Sequence, residues 1–321
     1  MRFVIVGTGA IGGVIAARLH QNGESVLAIA RGENFSVLNQ RGIEVRTPEG
    51  ATVVQVPVAG SLPDVKWRSD DIVVVAVKSQ ATMAVTLQLA ELAPSTVNIV
   101  CAQNGVENER VALRHFARTY AMCVMCPASY LSPGVVELYS SPVAGVFDIG
   151  CWPSGVDDTA RSIASQFTNA QLSSDAVSDI ALLKWGKLLS NLFNSIEALC
   201  GAGAMNSELG RRTHREAIAA LTAAGIDAHA AQQRAAERAP LVSYQKVDGH
   251  DRGGGSSWQS LARATGDIES DFLNGEISLL GRLHGTATAA NDMLTREARH
   301  AALQRETPGS RTVEELLRLI N

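Results

Sequence analysis

The sequence predicts an α/β protein in which a doubly wound parallel sheet is followed by an all-α C-terminal domain. Three observations support this fold class. Short runs rich in β-branched residues alternate with helical stretches over the first half of the chain, which is typical of a parallel sheet with crossover helices. A glycine-rich turn, GTGAIG, joins the first strand to the first helix, as in a Rossmann-type sheet. From residue 178 onward the pattern is helical to the end of the chain.

Strands of the first domain are predicted from short apolar runs, and helices from amphipathic stretches that end at turn residues. In order, these are a strand at 2–7, a helix at 10–23, a strand at 25–31, a hairpin at 42–60, a strand at 71–78, a helix through Leu92 and a strand at 96–105. The stretch 117–150 is rich in strands, and its SPGVVELYSSPVAGVFDIG predicts a hairpin or meander. A helix at 156–168 and a short strand at 171–176 complete the domain.

The second domain is predicted to be helical with one interruption, a glycine-rich loop at 248–260. Thr312 and Glu315 have the spacing of a capping box and should begin the last helix. We therefore expect two domains, 1–176 and 177–321.

The composition excludes several classes of function. The 321 residues are 46% hydrophobic and 19% charged, which is enough apolar material for a large core. A formal net charge of −4 without a basic run argues against nucleic-acid binding, and no stretch approaches the roughly 18 apolar residues of a membrane span. Five cysteines without a regular framework indicate reduced thiols and a cytoplasmic protein. Cys123 and Cys126 lack a second pair or spaced histidines, so we expect no metal site.

The glycine-rich turn predicts a dinucleotide-binding loop. In the GxGxxG spacing, the first glycine permits a sharp turn, the second lets the backbone approach a pyrophosphate, and the third lets the helix pack closely on the strand. The helix N-terminus then faces the phosphates. The predicted loop comprises Gly7, Thr8, Gly9, Ala10, Ile11 and Gly12.

The end of the second strand indicates which dinucleotide is bound. An acidic residue there would accept hydrogen bonds from the ribose hydroxyls of NAD, but the strand ends in Arg31. A guanidinium can bind a 2′-phosphate through two parallel hydrogen bonds, which favours NADP and hence NADPH as reductant. Glu33 is close in sequence and is the alternative, a ribose-binding acid.

The segment KWGKLLSNLFNSIEALCG, at 184–201, carries a polar arc opposite an apolar one. At helical spacing the arc comprises Lys184, Lys187, Asn191, Asn194 and Ser195. A solvated helix face is one interpretation. The other is a ligand pocket, because lysine here is combined with short hydrogen-bonding side chains rather than with the usual mixture of charges.

These motifs together resemble the ketopantoate reductase family, whose members reduce 2-dehydropantoate to pantoate. The resemblance covers nearly the whole chain and rests on ordered signatures: GTGAIG, Arg31, VK at 77–78, QNG at 103–105, WGKLLSN at 185–191, and SSWQS followed by ESDFLNG within 256–275. It implies an NADP-binding first domain, a catalytic second domain and a small 2-oxo acid as substrate. The oligomeric state stays open, with a homodimer as one alternative.

The resemblance also implies roles for individual residues. Lys187 resembles the catalytic lysine, and Glu269 a catalytic-domain glutamate. Lys78 resembles a lysine near the nicotinamide end of the cofactor, and Asn104 an asparagine between cofactor and substrate. The implied substrate-binding residues are Asn104, Asn191, Ser195, Asn206 and Ser257. Lys184 has no counterpart in the motif, so its replacement is expected to be nearly neutral.

Two departures from the family pattern lie in the substrate half. Ser195 replaces a second asparagine, and TGDIESD, with Ser270, replaces a segment resembling RxTEID. They leave open a related reductase of another small keto acid. A non-catalytic NADP-binding protein is the alternative from a different functional class.

Overall fold

A computed structural model describes residues 1–320, and its contacts divide the chain into two compact units. Unit 1 comprises Met1–Ala181 and Ala236–Arg252. Unit 2 comprises Leu182–Ala235 and the chain from Gly253 onward.

The strands of the described chain all lie in unit 1 and form two sheets. They are β1 Arg2–Val6, β2 Val26–Ile29, β3 Ile43–Thr47, β4 Gly50–Val54, β5 Val58–Ala59, β6 Asp71–Val75, β7 Asn98–Cys101, β8 Thr119–Met125, β9 Ala128–Ser132, β10 Val135–Leu138 and β11 Val146–Cys151. The larger sheet has the order β11-β8-β7-β6-β1-β2-β5, and it is parallel except for β11, which runs antiparallel to β8. This is the doubly wound fold that the sequence predicts.

The helices of the described chain divide between the units. They are α1 Ala10–Gln21, α2 Gly32–Arg41, α3 Thr82–Leu92, α4 Asn108–Leu113, α5 Asp158–Asn169, α6 Ile180–Asn191, α7 Phe193–Cys200, α8 Glu208–Ala223, α9 Ala228–Arg238, α10 Ser256–Ala262, α11 Asn274–His284, α12 Ala289–Leu303 and α13 Val313–Arg318. Helices α1 to α5 belong to unit 1, and α7, α8 and α10 to α13 belong to unit 2. Two of the three unit boundaries fall within α6 and α9, and the third lies between Arg252 and Gly253.

The central strands are buried on both faces because helices cover both sides of the larger sheet. Alternate side chains of β1 point to opposite cores, with Phe3 and Ile5 in one and Val4 and Val6 in the other. Continuous apolar runs such as RFVIV are therefore required here. They are also what makes these strands recognisable from sequence.

A smaller sheet has the order β4-β3-β10-β9. Its β3–β4 hairpin confirms the prediction for the start of 42–60, with Thr47 opposite Gly50. The prediction of a hairpin or meander after β9 is only partly right. β10 does pair antiparallel with β9, but it also pairs parallel with β3, and β11 joins the other sheet.

The predicted strand at 171–176 is absent from the described structure. Ser173 and Ala176 each form an isolated bridge, to Val146 and Ile149. Backbone hydrogen bonds to β11 satisfy this segment without building a strand of its own.

Residues 236–252 group with unit 1 by their contacts, and the division into 1–176 and 177–321 stays a prediction. One of the contacts of this segment is with a charge buried in β11. Asp148 is fully buried and is paired with Arg238 at 2.6 Å, and Arg238 also contacts Asp175 at 2.8 Å. Gln245 adds backbone and side-chain hydrogen bonds to Tyr139 and Ser141. These contacts attach the segment to unit 1.

The core of unit 2 is built by apolar side chains of α7, α8, α10 and α12, among them Leu199, Leu209, Leu261 and Leu294. The predicted capping box is confirmed at the start of α13. The amide of Glu315 donates to Thr312 Oγ1 at 3.2 Å, and the amide of Thr312 donates to Glu315 Oε2 at 2.8 Å.

Candidate active site

The glycine-rich loop follows β1, which lies between β2 and β6 where the winding of the sheet reverses. Gly7 has a φ of 97°, and a Cβ atom there would lie 2.7 Å from Val77 Cγ1. A Cβ on Gly12 would collide with the carbonyl oxygen of Gly7. At Gly9, in contrast, no heavy atom lies within 4 Å of the Cβ position. The loop therefore leaves open space at the start of α1, and this space fits a pyrophosphate.

The remaining loop residues hold this geometry. Thr8 is buried, and its hydroxyl donates to the carbonyl of Ile29 at 3.3 Å. Asn34 on α2 donates to the carbonyl and hydroxyl oxygens of Thr8 at 3.1 and 3.2 Å. Ala10 and Ile11 form the half-buried first turn of α1. Sequence reasoning missed Asn34, because an asparagine in an exposed helix carries no signal of this contact.

Arg31 lies just after β2 and is the N-cap residue of α2. Its side chain is exposed, and it makes no ion pair or side-chain hydrogen bond with residues 1–320. Glu33 is also exposed, in the first turn of α2. Both candidates for contacting the adenosine ribose thus lie at the edge of the sheet where the loop begins.

Lys78 and Asn104 lie in the loops that follow the neighbouring strands β6 and β7, and both are half-buried. A buried network joins the two loops. Gln103 Nε2 donates to the carbonyl of Val77 at 2.9 Å and to Thr82 Oγ1 at 2.7 Å. Asn108 completes it, accepting from Thr82 at 2.7 Å and donating to the carbonyl of Asn104 at 2.8 Å.

The predicted unit 1 residues thus lie at the carboxyl ends of β1, β2, β6 and β7, four adjacent parallel strands. Open sheets of this kind bind ligands at that edge. Sequence analysis used Gln103 only as part of a motif and gave no role to Thr82 or Asn108. Their function in fixing the loops depends on contacts between segments about 20 to 30 residues apart, which spacing alone does not reveal.

In unit 2, Lys187 and Asn191 lie one turn apart on α6. Lys187 is half-buried and Asn191 is buried. Lys184 is only 3% exposed, which argues against the expectation that its replacement is neutral. A lysine is buried at this level only in a well-defined environment. A solvated helix face is therefore the wrong interpretation for the buried residues of the arc, Lys184, Asn191 and Ser195.

Ser195 is turned into the protein interior. It is fully buried in α7, and its hydroxyl donates to Asn274 Oδ1 at 2.7 Å. Asn274 in turn donates to the carbonyl of Leu192 at 3.2 Å and to Asn291 Oδ1 at 3.1 Å. We therefore assign Ser195 a structural role in place of the substrate contact expected from sequence.

Ser257 and Glu269 are buried polar residues of the same unit. The Ser257 hydroxyl, in α10, is 1% exposed and has no hydrogen-bond partner within residues 1–320. An unsatisfied buried hydroxyl is costly, so it fits a site that a ligand completes. Glu269 is 3% exposed at the start of a short 3₁₀ helix, Glu269–Phe272. Asn206 is the exception, because it is exposed, and its carbonyl accepts from Arg211 at 3.0 Å.

Neither a metal-binding cluster nor a membrane-spanning helix is found within residues 1–320. No group of three or more His, Cys, Asp or Glu side chains in the described chain is arranged to hold a metal ion. Among the helices within residues 1–320, none is both long and apolar enough to cross a membrane.

A doubly wound sheet with this glycine loop is typical of proteins that bind a dinucleotide. Here it is followed by helices that carry a lysine, asparagines and a buried glutamate. Models of the ketopantoate reductase PanE/ApbA family match residues 3–154 and, for its C-terminal part, 179–302. The chain belongs to the ketopantoate reductase family.

Relatives in other organisms agree with this assignment. The 2-dehydropantoate 2-reductase of Caulobacter vibrioides is 28% identical over 309 residues, which cover 93% of this chain and 98% of that protein. That of Pyrococcus horikoshii is 28% identical over 193 residues, 60% of this chain, so the chain matches 61% of the length of this relative. The fold is also similar to a D-mandelate dehydrogenase solved with NADH and anilino(oxo)acetate, with a TM-score of 0.79, 20% identity, and coverage of 95% of this chain and 99% of that one.

Proposed function

We propose that the protein reduces 2-dehydropantoate to pantoate with NADPH. The main support is the pairing on α6 of a half-buried lysine, Lys187, with a buried asparagine, Asn191, in a chain that carries an open dinucleotide loop. The 2-dehydropantoate 2-reductases similar to this chain support the reaction.

Unit 1 holds the cofactor in this proposal. Backbone amides of the loop from Gly7 to Gly12 bind the pyrophosphate, and Arg31 binds the 2′-phosphate. Lys78 and Asn104 bind the nicotinamide end. When bound, NADPH supplies a hydride to the substrate carbonyl.

Unit 2 binds and protonates the substrate. Negative charge grows on the carbonyl oxygen during reduction, and the Lys187 ammonium stabilises it and donates the proton. Neutral hydrogen bonds orient the substrate, and they do not repel its carboxylate. They come from Asn191 and Ser257, and from Asn104 of unit 1. Glu269 accepts a hydrogen bond from the substrate hydroxyl or orients Lys187. Asn206 is exposed, and in this proposal it contacts the substrate from the periphery of the site.

The test is NADPH oxidation in the presence of a panel of 2-oxo acids, including 2-dehydropantoate and phenylglyoxylate. We expect 2-dehydropantoate to have the highest kcat/KM. Turnover of an aryl 2-oxo acid alone would instead indicate a related reductase, which Ser195 and Ser270 permit as departures from the family pattern. No turnover with any member would favour a non-catalytic NADP-binding protein.

Two further properties belong to the same proposal. The odd number of cysteines, without a regular framework, fits a reducing cytoplasmic location. We propose that the protein is a homodimer. Light scattering of the purified protein tests this, and a mass near 34.0 kDa, that of one chain, would show a monomer.

A further inference from the structure

The N-terminus of α10 is held by two polar side chains of α7. Glu197 Oε2 accepts a hydrogen bond at 2.9 Å from the amide of Gly255, the N-cap residue of α10. One turn earlier on α7, Asn194 Nδ2 lies 3.5 Å from Ser256 Oγ. A carboxylate from a different helix thus satisfies the first free amide of α10, where negative charge is also favourable.

The glycine run GGG at 253–255 permits this contact by allowing close approach. A Cβ atom on Gly255 would lie 2.7 Å from Glu197 Oε2 and 3.3 Å from Asn194 Oδ1, so any side chain here would displace the Glu197 carboxylate. The backbone of Gly253 and Gly254 lies against the indole of Trp258, and a Cβ on Gly253 would lie 2.8 Å from its Cη2. The run is therefore a packed turn rather than a flexible linker.

Ser257 lies two residues after Gly255, in the first turn of α10. Its hydroxyl is the buried group without a partner in the described chain that we assign to the substrate. The direction of that hydroxyl depends on where the first turn of α10 sits, because a side chain in a helix follows its backbone. Glu197 helps to fix the position of this first helical turn, because it binds the Gly255 amide.

We propose that Glu197 is a positioning residue for substrate binding, acting through Gly255 to aim the Ser257 hydroxyl. This inference rests on the proposed function. Glu197 itself is not assigned as a substrate ligand, because its Oε2 is already engaged by the Gly255 amide.

The test compares Glu197→Ala and Glu197→Gln with Ser257→Ala. Loss of one neutral hydrogen bond to the substrate should raise KM for 2-dehydropantoate about 3- to 10-fold in both alanine variants. NADPH binding should not change, since unit 1 holds the cofactor. Glu197→Gln keeps an acceptor oxygen and should have a KM close to that of the wild type. In the Glu197→Ala variant, hydrogen exchange at the Gly255 amide should also accelerate.

The double variant Glu197→Ala with Ser257→Ala separates positioning from a general loss of structure. If Glu197 acts through Ser257, the double variant should have the KM of Ser257→Ala alone. Gly255→Ala should reproduce the Glu197→Ala effect, because its Cβ displaces the carboxylate. Gly203→Ala, at an exposed position where no atom lies within 4 Å of the Cβ, is the matched control and should match the wild type.

Two results would overturn this role without affecting the proposed function. One is an unchanged KM in Glu197→Ala. The other is a KM of the double variant that is raised by the product of the two single effects. A lowered Tm with unchanged KM would overturn it as well. If the wild type turned over no 2-oxo acid, the proposed function would fail first, and the role of Glu197 with it.

Discussion

Arg31 is the residue on which the proposed preference for NADPH depends. Its exposed guanidinium has no ion-pair partner within the described chain, and it follows β2 at the edge of the sheet where the glycine loop lies. A charge-assisted bidentate contact to phosphate contributes about 1.5–3 kcal/mol, so Arg31→Ala should weaken NADPH binding by about 10- to 100-fold. NADH binding, which lacks the 2′-phosphate, should change little. Fluorescence titration with both cofactors measures this difference.

Arg41→Ala is the control for that measurement, because Arg41 is exposed at the far end of the same helix. It should leave both affinities unchanged. Equal losses for NADPH and NADH in Arg31→Ala would show that Arg31 does not read the 2′-phosphate, and would favour Glu33 as the residue that contacts the ribose.

Lys187 is the proton donor of the proposed reaction. Lys187→Ala should lower kcat for 2-oxo acid reduction by about 10²–10⁴, the range for one acid–base group. NADPH affinity should be unchanged, because the groups that hold the cofactor belong to unit 1. Steady-state kinetics and a cofactor titration of the same preparation measure the two quantities.

The control for Lys187 must be an exposed lysine, which Lys184 is not. Lys246 is suitable, because its ammonium is exposed and is paired only with Asp251 at 2.9 Å. Lys246→Ala should match the wild type. Full activity in Lys187→Ala, with turnover by the wild type intact, would place the proton donor elsewhere.

At the scale of elements, the junction of α6 and α7 is held by a buried chain of amides. Asn274 accepts from Ser195 and donates to the carbonyl of Leu192 and to Asn291. Asn274→Ala would leave three buried polar groups without a partner, and each costs about 1–3 kcal/mol. We expect a loss of at least about 3 kcal/mol in the free energy of unfolding, measured by urea denaturation.

Asn206→Ala is the matched control for the same experiment. Asn206 is exposed, so its replacement should change the free energy of unfolding by less than about 0.5 kcal/mol. A similarly small change in Asn274→Ala would mean that water replaces the lost amide.

Elements were predictable from sequence where local pattern determines them. β1 and β6 are continuous apolar runs with both faces buried, and the capping box of α13 is a local contact. The pairing of β10 with β3 was not predictable, because it joins segments about 90 residues apart and nothing within either strand specifies its partner. The same limit applies to 171–176, whose bonds to β11 form bridges without a strand.

For the whole molecule, the doubly wound sheet and the family were accessible from sequence, whereas the environment of several site residues was not. A polar arc at helical spacing does not distinguish solvent, ligand and a buried network. The arc is mixed: Lys187 is half-buried, Lys184 is buried, and Ser195 is bonded to Asn274. The ion pair between Arg238 and Asp148 is the same kind of information, since residues 90 positions apart give no local signal of their contact.

That ion pair provides a test at the scale of the whole chain. Asp148 is fully buried in β11, and Arg238 is its counter-ion from a segment that follows much of unit 2 in sequence. Replacing one member of a buried pair leaves an uncompensated charge, which costs about 3–5 kcal/mol. Arg238→Met should therefore lower the free energy of unfolding by about this amount at neutral pH, whereas Arg211→Met, at an exposed ion pair on α8, should change it by less than about 1 kcal/mol.

The pH dependence of that loss identifies the charge as its cause. Burial raises the pKa of Asp148, and the hydrogen bond and charge of Arg238 oppose this shift. Without Arg238 the pKa of Asp148 rises further, so as the pH falls the folded state binds a proton before the unfolded state does. The stability lost in Arg238→Met should accordingly be largest at neutral pH and should shrink in acid. In the double variant Asp148→Asn with Arg238→Met this pH dependence should vanish. If the free energy of unfolding lost in Arg238→Met stays constant with pH, then packing around Arg238, not its charge, attaches the segment to unit 1.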